Sequence, residues 1–161
     1  MPGKKKKFYR ASLLDRLLDN QPWAKSEYMT LSGYSLSDYK ESIRRDLTML
    51  LNTRSPSRAE NFDRDKLTVM DYGIPDFANY SFEYSDDCML IARRLTHAIK
   101  CFEPRLKNPA VLIEPESQDE KSLIVKISAE LLLYEEAVHI SFLTKTQTET
   151  GQWEVYEKLR Y

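Results

Sequence analysis

The sequence predicts an α+β fold in which N-terminal helices pack on a C-terminal, mainly antiparallel sheet. Three observations predict it. Before Glu103, two stretches carry apolar residues at helical spacing, and after Asn108 the pattern changes to alternation. Between them lies Phe102-Glu103-Pro104-Arg105-Leu106. Pro104 lacks a backbone N–H and pushes Glu103 out of the α region toward extended geometry. Side chains two apart on an extended segment point the same way, so Glu103 and Arg105 are expected to project together. That pair reads either as a helix end closed by a local ion pair or as a charged fork offered to a partner.

Residues 1–34 are expected to hold a basic tail, a short amphipathic helix and a tether, and residues 35–161 one α+β domain. Lys4 to Lys7 form a basic run without interleaved aromatics, which reads as a solvated tail rather than a nucleic-acid arm. Ser12 to Asp19 reads as a short helix capped by Ser12, with Asp15 three residues on. Its apolar face is Leu13, Leu14, Leu17 and Leu18. Eight residues do not hold a helix alone in water, so this face must dock, either on the chain's own core or on a partner. Gln21 to Gly33 is polar and interrupted by Pro22.

Ser37 to Leu51 carries Tyr39, Ile43, Leu47, Leu50 and Leu51 on one stripe, with Ser37 as N-cap and Asn52 in the left-handed position that ends it. Ser57 to Tyr84 lacks sustained periodicity. Its aromatics, and the turn at Tyr72-Gly73-Ile74-Pro75, favour a connection wrapped on the core. Asp86 to Phe102 is the strongest helix. Cys88, Ala92, Leu95, Ile99 and Phe102 form its stripe, widened by Ile91 and Ala98, and His97 falls off it toward solvent.

Strands follow. Ala110 to Ile113 is short. Leu123 to Leu133 alternates over its whole length. Val138, Ile140 and Phe142 mark a third strand, and Thr150-Gly151 turns the chain into Trp153-Glu154-Val155-Tyr156. This last strand is expected at a sheet edge, where Trp153 and Val155 belong to a surface for another chain's strand.

The 161 residues carry a net charge of −1, so no global field selects nucleic acid. Four glycines and no phosphate-loop motif argue against a nucleotide cofactor. No apolar run approaches the ~20 residues that span a bilayer. Cys88 and Cys101 on one helix stand ~20 Å apart, too far for a disulfide. His97 and His139 have no Cys or carboxylate at zinc-ligand spacing. No cofactor, metal or membrane insertion is expected, and the composition reads as cytoplasmic.

Four motifs stand in order: Leu13-Leu14-Asp15-Arg16-Leu17, Leu50-Leu51-Asn52-Thr53-Arg54, Tyr72-Gly73-Ile74-Pro75-Asp76 and Glu103-Pro104-Arg105-Leu106. Together they resemble the TssE family of type VI secretion baseplate subunits, itself part of the wedge-protein family of contractile phage baseplates. The resemblance implies a structural, non-catalytic subunit of a cytoplasmic baseplate. It implies assembly with TssF, TssG and TssK near the spike hub, where the TssB/TssC sheath begins. It also implies that Glu103, Pro104 and Arg105 dock on the helical bundle of TssF and TssG, and that the strands pair with the first sheath ring.

Two other functions are weighed against it. A glycosidase needs paired carboxyl groups, one with a raised pKa, and Glu103 with Asp86, Asp87 or Glu130 is the available set. Arg105 beside Glu103 opposes that shift. A small regulatory binding module of anti-adaptor type shares the general fold, but fold alone does not fix function.

Overall fold

The computed structural model describes residues 9, 12, 34–64, 66–80, 84–115, 122–133, 136–147 and 152–157. The leucine helix expected over 12–19, with Leu13, Leu14, Leu17 and Leu18, lies outside the described residues. So do Lys4 to Lys7, the tether, and the turn at Thr150-Gly151. The architecture is α+β: among the described residues, two long helices precede a four-stranded antiparallel sheet. The chain divides into two compact units, Met1–Arg45 and Asp46–Tyr161.

In the first unit Tyr9 and Tyr34 form an antiparallel bridge with N–H···O distances of 2.9 and 2.8 Å. The Tyr9 ring stacks on Tyr39 at 5.3 Å between centroids. Helix α1 begins here and runs Leu36–Asn52. Its cap is Ser35, not the expected Ser37. Ser35 Oγ accepts from the Asp38 N–H at 3.3 Å, and Asp38 Oδ2 accepts from the Ser35 N–H at 3.2 Å. The carboxylate three residues on makes the cap reciprocal, and that moves the start of the helix back. Of the expected stripe, Ile43 and Leu47 are 0 % and Leu50 and Leu51 2 % exposed, and Tyr39 is half-buried.

In the second unit α1 ends without the expected left-handed residue. Among the described residues, positive φ occurs at Asn108 (48°) and Gly73 (117°), not at Asn52. The Asn52 amide is used elsewhere, as the edge of the sheet shows below. The connection that follows does lie on the core, with Phe62 1 % and Ile74 7 % exposed. Two short 3-10 turns, Ala59–Asp63 and Val69–Asp71, punctuate it. A parallel bridge ties its ends together: Ile74 N–H to Thr53 O and Ser55 N–H to Ile74 O, each at 2.8 Å. Gly73 allows this approach, because a Cβ there would sit 2.4 Å from the Thr53 carbonyl oxygen.

Helix α2 runs Ser85–Phe102, with Asp86 and Asp87 in its first turn and Lys100 in its last, each where the helix dipole favours it. Ile91, Leu95, Ala98 and Ile99 are buried, while Cys88, Ala92 and Phe102, expected in the stripe, are half-buried at its margins. His97 is also half-buried, its Nε2 3.8 Å from Cys101 Sγ, rather than exposed. Arg94 is 4 % exposed on the same face. It donates from Nη1 to Tyr80 Oη at 2.7 Å and lies over that ring, which is how a charge is held there.

The strands are β1 (Leu106–Pro115), β2 (Ser122–Leu133), β3 (Glu136–Gln147) and β4 (Trp153–Glu157), paired in that order. β1 is longer than the expected Ala110 to Ile113. Asn108 at φ 48° and a register shift between Lys107 and Ala110 break the alternation that would have revealed its start. One face of the sheet is apolar: Val125, Ile127, Ala129, Leu131, Ile140, Phe142, Trp153 and Val155 are all buried. Thr144 is buried among them and satisfied, its Oγ1 donating to Val125 O at 3.0 Å. α2 packs on β1.

Candidate functional site

Helix α2 stops where Pro104 requires. The Glu103 N–H makes the last helical bond, to Ile99 O at 2.8 Å, and its own φ and ψ are −122° and 74°. The Leu106 N–H donates back to Glu103 O at 3.1 Å, so Pro104 and Arg105 form the middle of a tight turn into β1. This geometry brings the Glu103 and Arg105 side chains together. Arg105 Nε donates to Glu103 Oε1 at 2.6 Å, and Nη2 donates to Glu103 Oε2. The same Nη2 reaches Asp46 Oδ2 on α1 at 2.5 Å.

The fork therefore closes on the chain itself. Glu103 is 4 % exposed, and the side chains of Arg105 and Asp46 are 18 % and 23 % exposed. Pro104 is the exposed residue of the three. Burial opposes the charge on Arg105. Hydrogen bonding and proximity to Glu103, then to Asp46, outweigh it and hold the guanidinium above its ordinary pKa. Tyr72 stands beside the cluster, edge-on to Phe102 at 5.3 Å. Its hydroxyl is pushed up by burial first and then by the charges of Asp46 and Glu103.

Three of the four motifs thus meet in one place. Thr53 holds Ile74, Gly73 admits the contact, Tyr72 covers Phe102, and Glu103-Pro104-Arg105 ties the end of α2 to α1. Asp46, the second carboxylate on Arg105, had no signal in the sequence. It lies 59 residues away, on a helix whose apolar stripe drew the attention.

On β4, Trp153 is 7 % and Val155 2 % exposed. Their side chains face the core, so what they turn outward is backbone. At Trp153 that backbone is already bound. Its N–H donates to Asn52 Oδ1 at 2.9 Å, and its carbonyl accepts from Asn52 Nδ2 at 2.8 Å. The Asn52 amide stands where a neighbouring strand would begin.

Glu103, the carboxyl group weighed above as a catalytic acid, is buried and ion-paired. Both of its oxygens accept from Arg105. Cys88 and Cys101 are unbridged. Among the described residues, no helix is long and apolar enough to cross a membrane.

A family model, that of the baseplate wedge protein gp25, matches residues 37–135. That stretch covers α1, the wrapped connection, α2, the Glu103-Pro104-Arg105 turn, β1 and β2. No curated protein matches the chain.

Proposed function

The chain belongs to the family of the baseplate wedge protein gp25, and on that premise we propose that it is a wedge subunit of a cytoplasmic type VI secretion baseplate. Membership gives it a structural role in a baseplate, among other baseplate components. The finer reading is that it docks on the TssF/TssG bundle, with TssK and the spike hub nearby, and that its sheet receives the first ring of the TssB/TssC sheath by strand addition. The role is scaffolding and not catalysis.

One observation carries the docking reading: the exposed Pro104 stands on a turn that the buried Glu103 and the half-buried Asp46 lock through Arg105. A rigid exposed turn meets a partner with little ordering cost. Glu103 and Arg105 act within the chain, as positioning residues for that surface. The leucines at 13, 14, 17 and 18 are a second proposed contact, and the domain arrangement proposed from the sequence, 1–34 and 35–161, would make them a tethered one.

The test is co-purification with TssF and TssG. Pro104→Glu is expected to abolish capture with little change in melting temperature. Undiminished capture by that variant overturns the assignment of the turn as the docking surface. Purified protein is expected to show no peptidoglycan hydrolysis. An activity lost in Glu103→Gln would replace the scaffold reading with a lysozyme-like one.

A further inference from the structure

We propose that the last two turns of α1, residues 46–52, form a tie that couples the Pro104 turn to β4, so that loosening either end loosens the other. The coupling is a property of the isolated chain and goes beyond the baseplate reading, on which it does not rest.

Each end of this segment is pinned by one nitrogen that serves two acceptors. At one end Arg105 Nη2 donates to Glu103 Oε2, inside its own turn, and to Asp46 Oδ2 on the helix at 2.5 Å. At the other end Asn52 Nδ2 donates to Thr48 O, inside its own helix, and to Trp153 O on β4, each at 2.8 Å. The same amide also holds the Trp153 N–H, which donates to Asn52 Oδ1 at 2.9 Å. Asp46 and Asn52 are six residues apart, which at ~1.5 Å rise each is ~9 Å along the axis. Between them Leu47, Leu50 and Leu51 are buried. All of these residues lie in the second unit.

The end of α1 is held by these contacts and not by a stop of its own. A helix leaves its last carbonyls without helical partners. The common remedies are a left-handed residue after the last turn or a cation within it. α1 has neither: its end shows no positive φ, and its last turn carries no basic residue. Side chains close the turn instead. Asn52 Nδ2 donates to Thr48 O, and Thr53 Oγ1 donates to Met49 O at 2.7 Å. Both residues are in turn fixed by neighbouring elements, Asn52 by Trp153 and Thr53 by Ile74.

Residues joined by helical hydrogen bonds move as a body. A shift that costs Asp46 its guanidinium therefore carries the Asn52 amide away from Trp153, and the reverse holds. The segment has two arrangements, seated with both pins made and unseated with both lost, and each pin biases the same equilibrium. Such coupling is reciprocal. Whatever holds Arg105 on Asp46 firms β4, and whatever takes Trp153 from Asn52 loosens the Pro104 turn.

Residue-resolved hydrogen–deuterium exchange of the full chain tests the tie. The reporters are the Trp153 N–H, bound to Asn52, and the Leu106 N–H, bound to Glu103 O at 3.1 Å. Ile127, in the interior strand β2, reports opening of the whole domain. Asp46→Ala leaves Arg105 paired with Glu103 and is expected to speed exchange at Trp153 by ~5-fold or more beyond any change at Ile127, the lower end of usual coupling. Asn52→Ala, at an exposed position, is expected to do the same at Leu106. Alanine is the best helix former, so neither effect comes from lost helix propensity. Unchanged exchange at Trp153 in Asp46→Ala, or at Leu106 in Asn52→Ala, overturns the tie. So does a rise that Ile127 shares in full, because the domain then opens as one. If Asp46→Ala yields no folded protein, Asn52→Ala decides alone.

Discussion

Arg105 is the residue on which the junction depends. It holds two carboxylates, one buried beside it in sequence and one on another helix. Removing Arg105 leaves the buried Glu103 without its counter-charge, and losing one partner of a buried pair costs ~3–5 kcal/mol. Arg105→Ala is therefore expected to lower stability by about that amount in urea unfolding, where a surface ion pair would contribute ~0–1 kcal/mol. Arg105→Lys keeps the charge but loses the planar fork, and is expected to fall between the two. Gly73→Ala belongs to the same scale. It meets the Thr53 carbonyl at 2.4 Å and takes an unfavourable φ, so loss of soluble protein is expected on expression. A stable, soluble Gly73→Ala protein would contradict the close approach.

Asp71 shows how the elements hold their ends. Thr68 and Asp71 cap the Val69–Asp71 turn reciprocally, and Ser57 donates to the same carboxylate. These bonds, Ser57 first and then Thr68, hold the Asp71 pKa below the ordinary carboxylate value. A folded-state pKa that is depressed stabilises the fold above the unfolded value and is lost as pH falls through the folded one. Wild type is thus expected to lose more stability than Asp71→Asn across the acid range below the ordinary Asp pKa. Parallel acid titrations of melting temperature check it.

Helices α1 and α2 were legible in the sequence because their apolar spacing is local. β2 and β3 were legible because alternation is local too. The start of β1 was hidden by Asn108 and Pro109, which are edge-strand features that break the pattern. The cap at Ser35 was missed because Ser37 is an equally good capping residue, and only the Asp38 carboxylate decides between them. At the candidate site, the pairing of Glu103 with Arg105 followed from their spacing around proline. Its inward direction did not, because it depends on Asp46, and no local pattern reports a contact across 59 residues. The same limit hid Asn52, which reads as a helix stop and serves as the mate of Trp153 across 101 residues.

Across the second unit, the signature motifs are internal ties that hold an outward surface in place. A partner then senses Glu103 and Arg105 only through the position of Pro104 and the seating of α1 on the turn. This separates two explanations of any assembly defect. If Arg105 touched a partner directly, Arg105→Ala would fail to capture TssF and TssG at every temperature. If it locks the turn, the defect follows the fraction of folded protein, and partner binding itself draws the population toward the folded state. Capture by Arg105→Ala is therefore expected to recover at a temperature well below its melting midpoint and at higher TssF/TssG concentration. Pro104→Glu is expected to stay deficient under both conditions. Persistent failure of Arg105→Ala at low temperature, with the protein folded by circular dichroism, would return Arg105 to the interface. A double-mutant cycle with Asp46→Ala adds an independent reading: a lock predicts coupling of ~1 kcal/mol or more between the two sites in the isolated chain, where no partner is present.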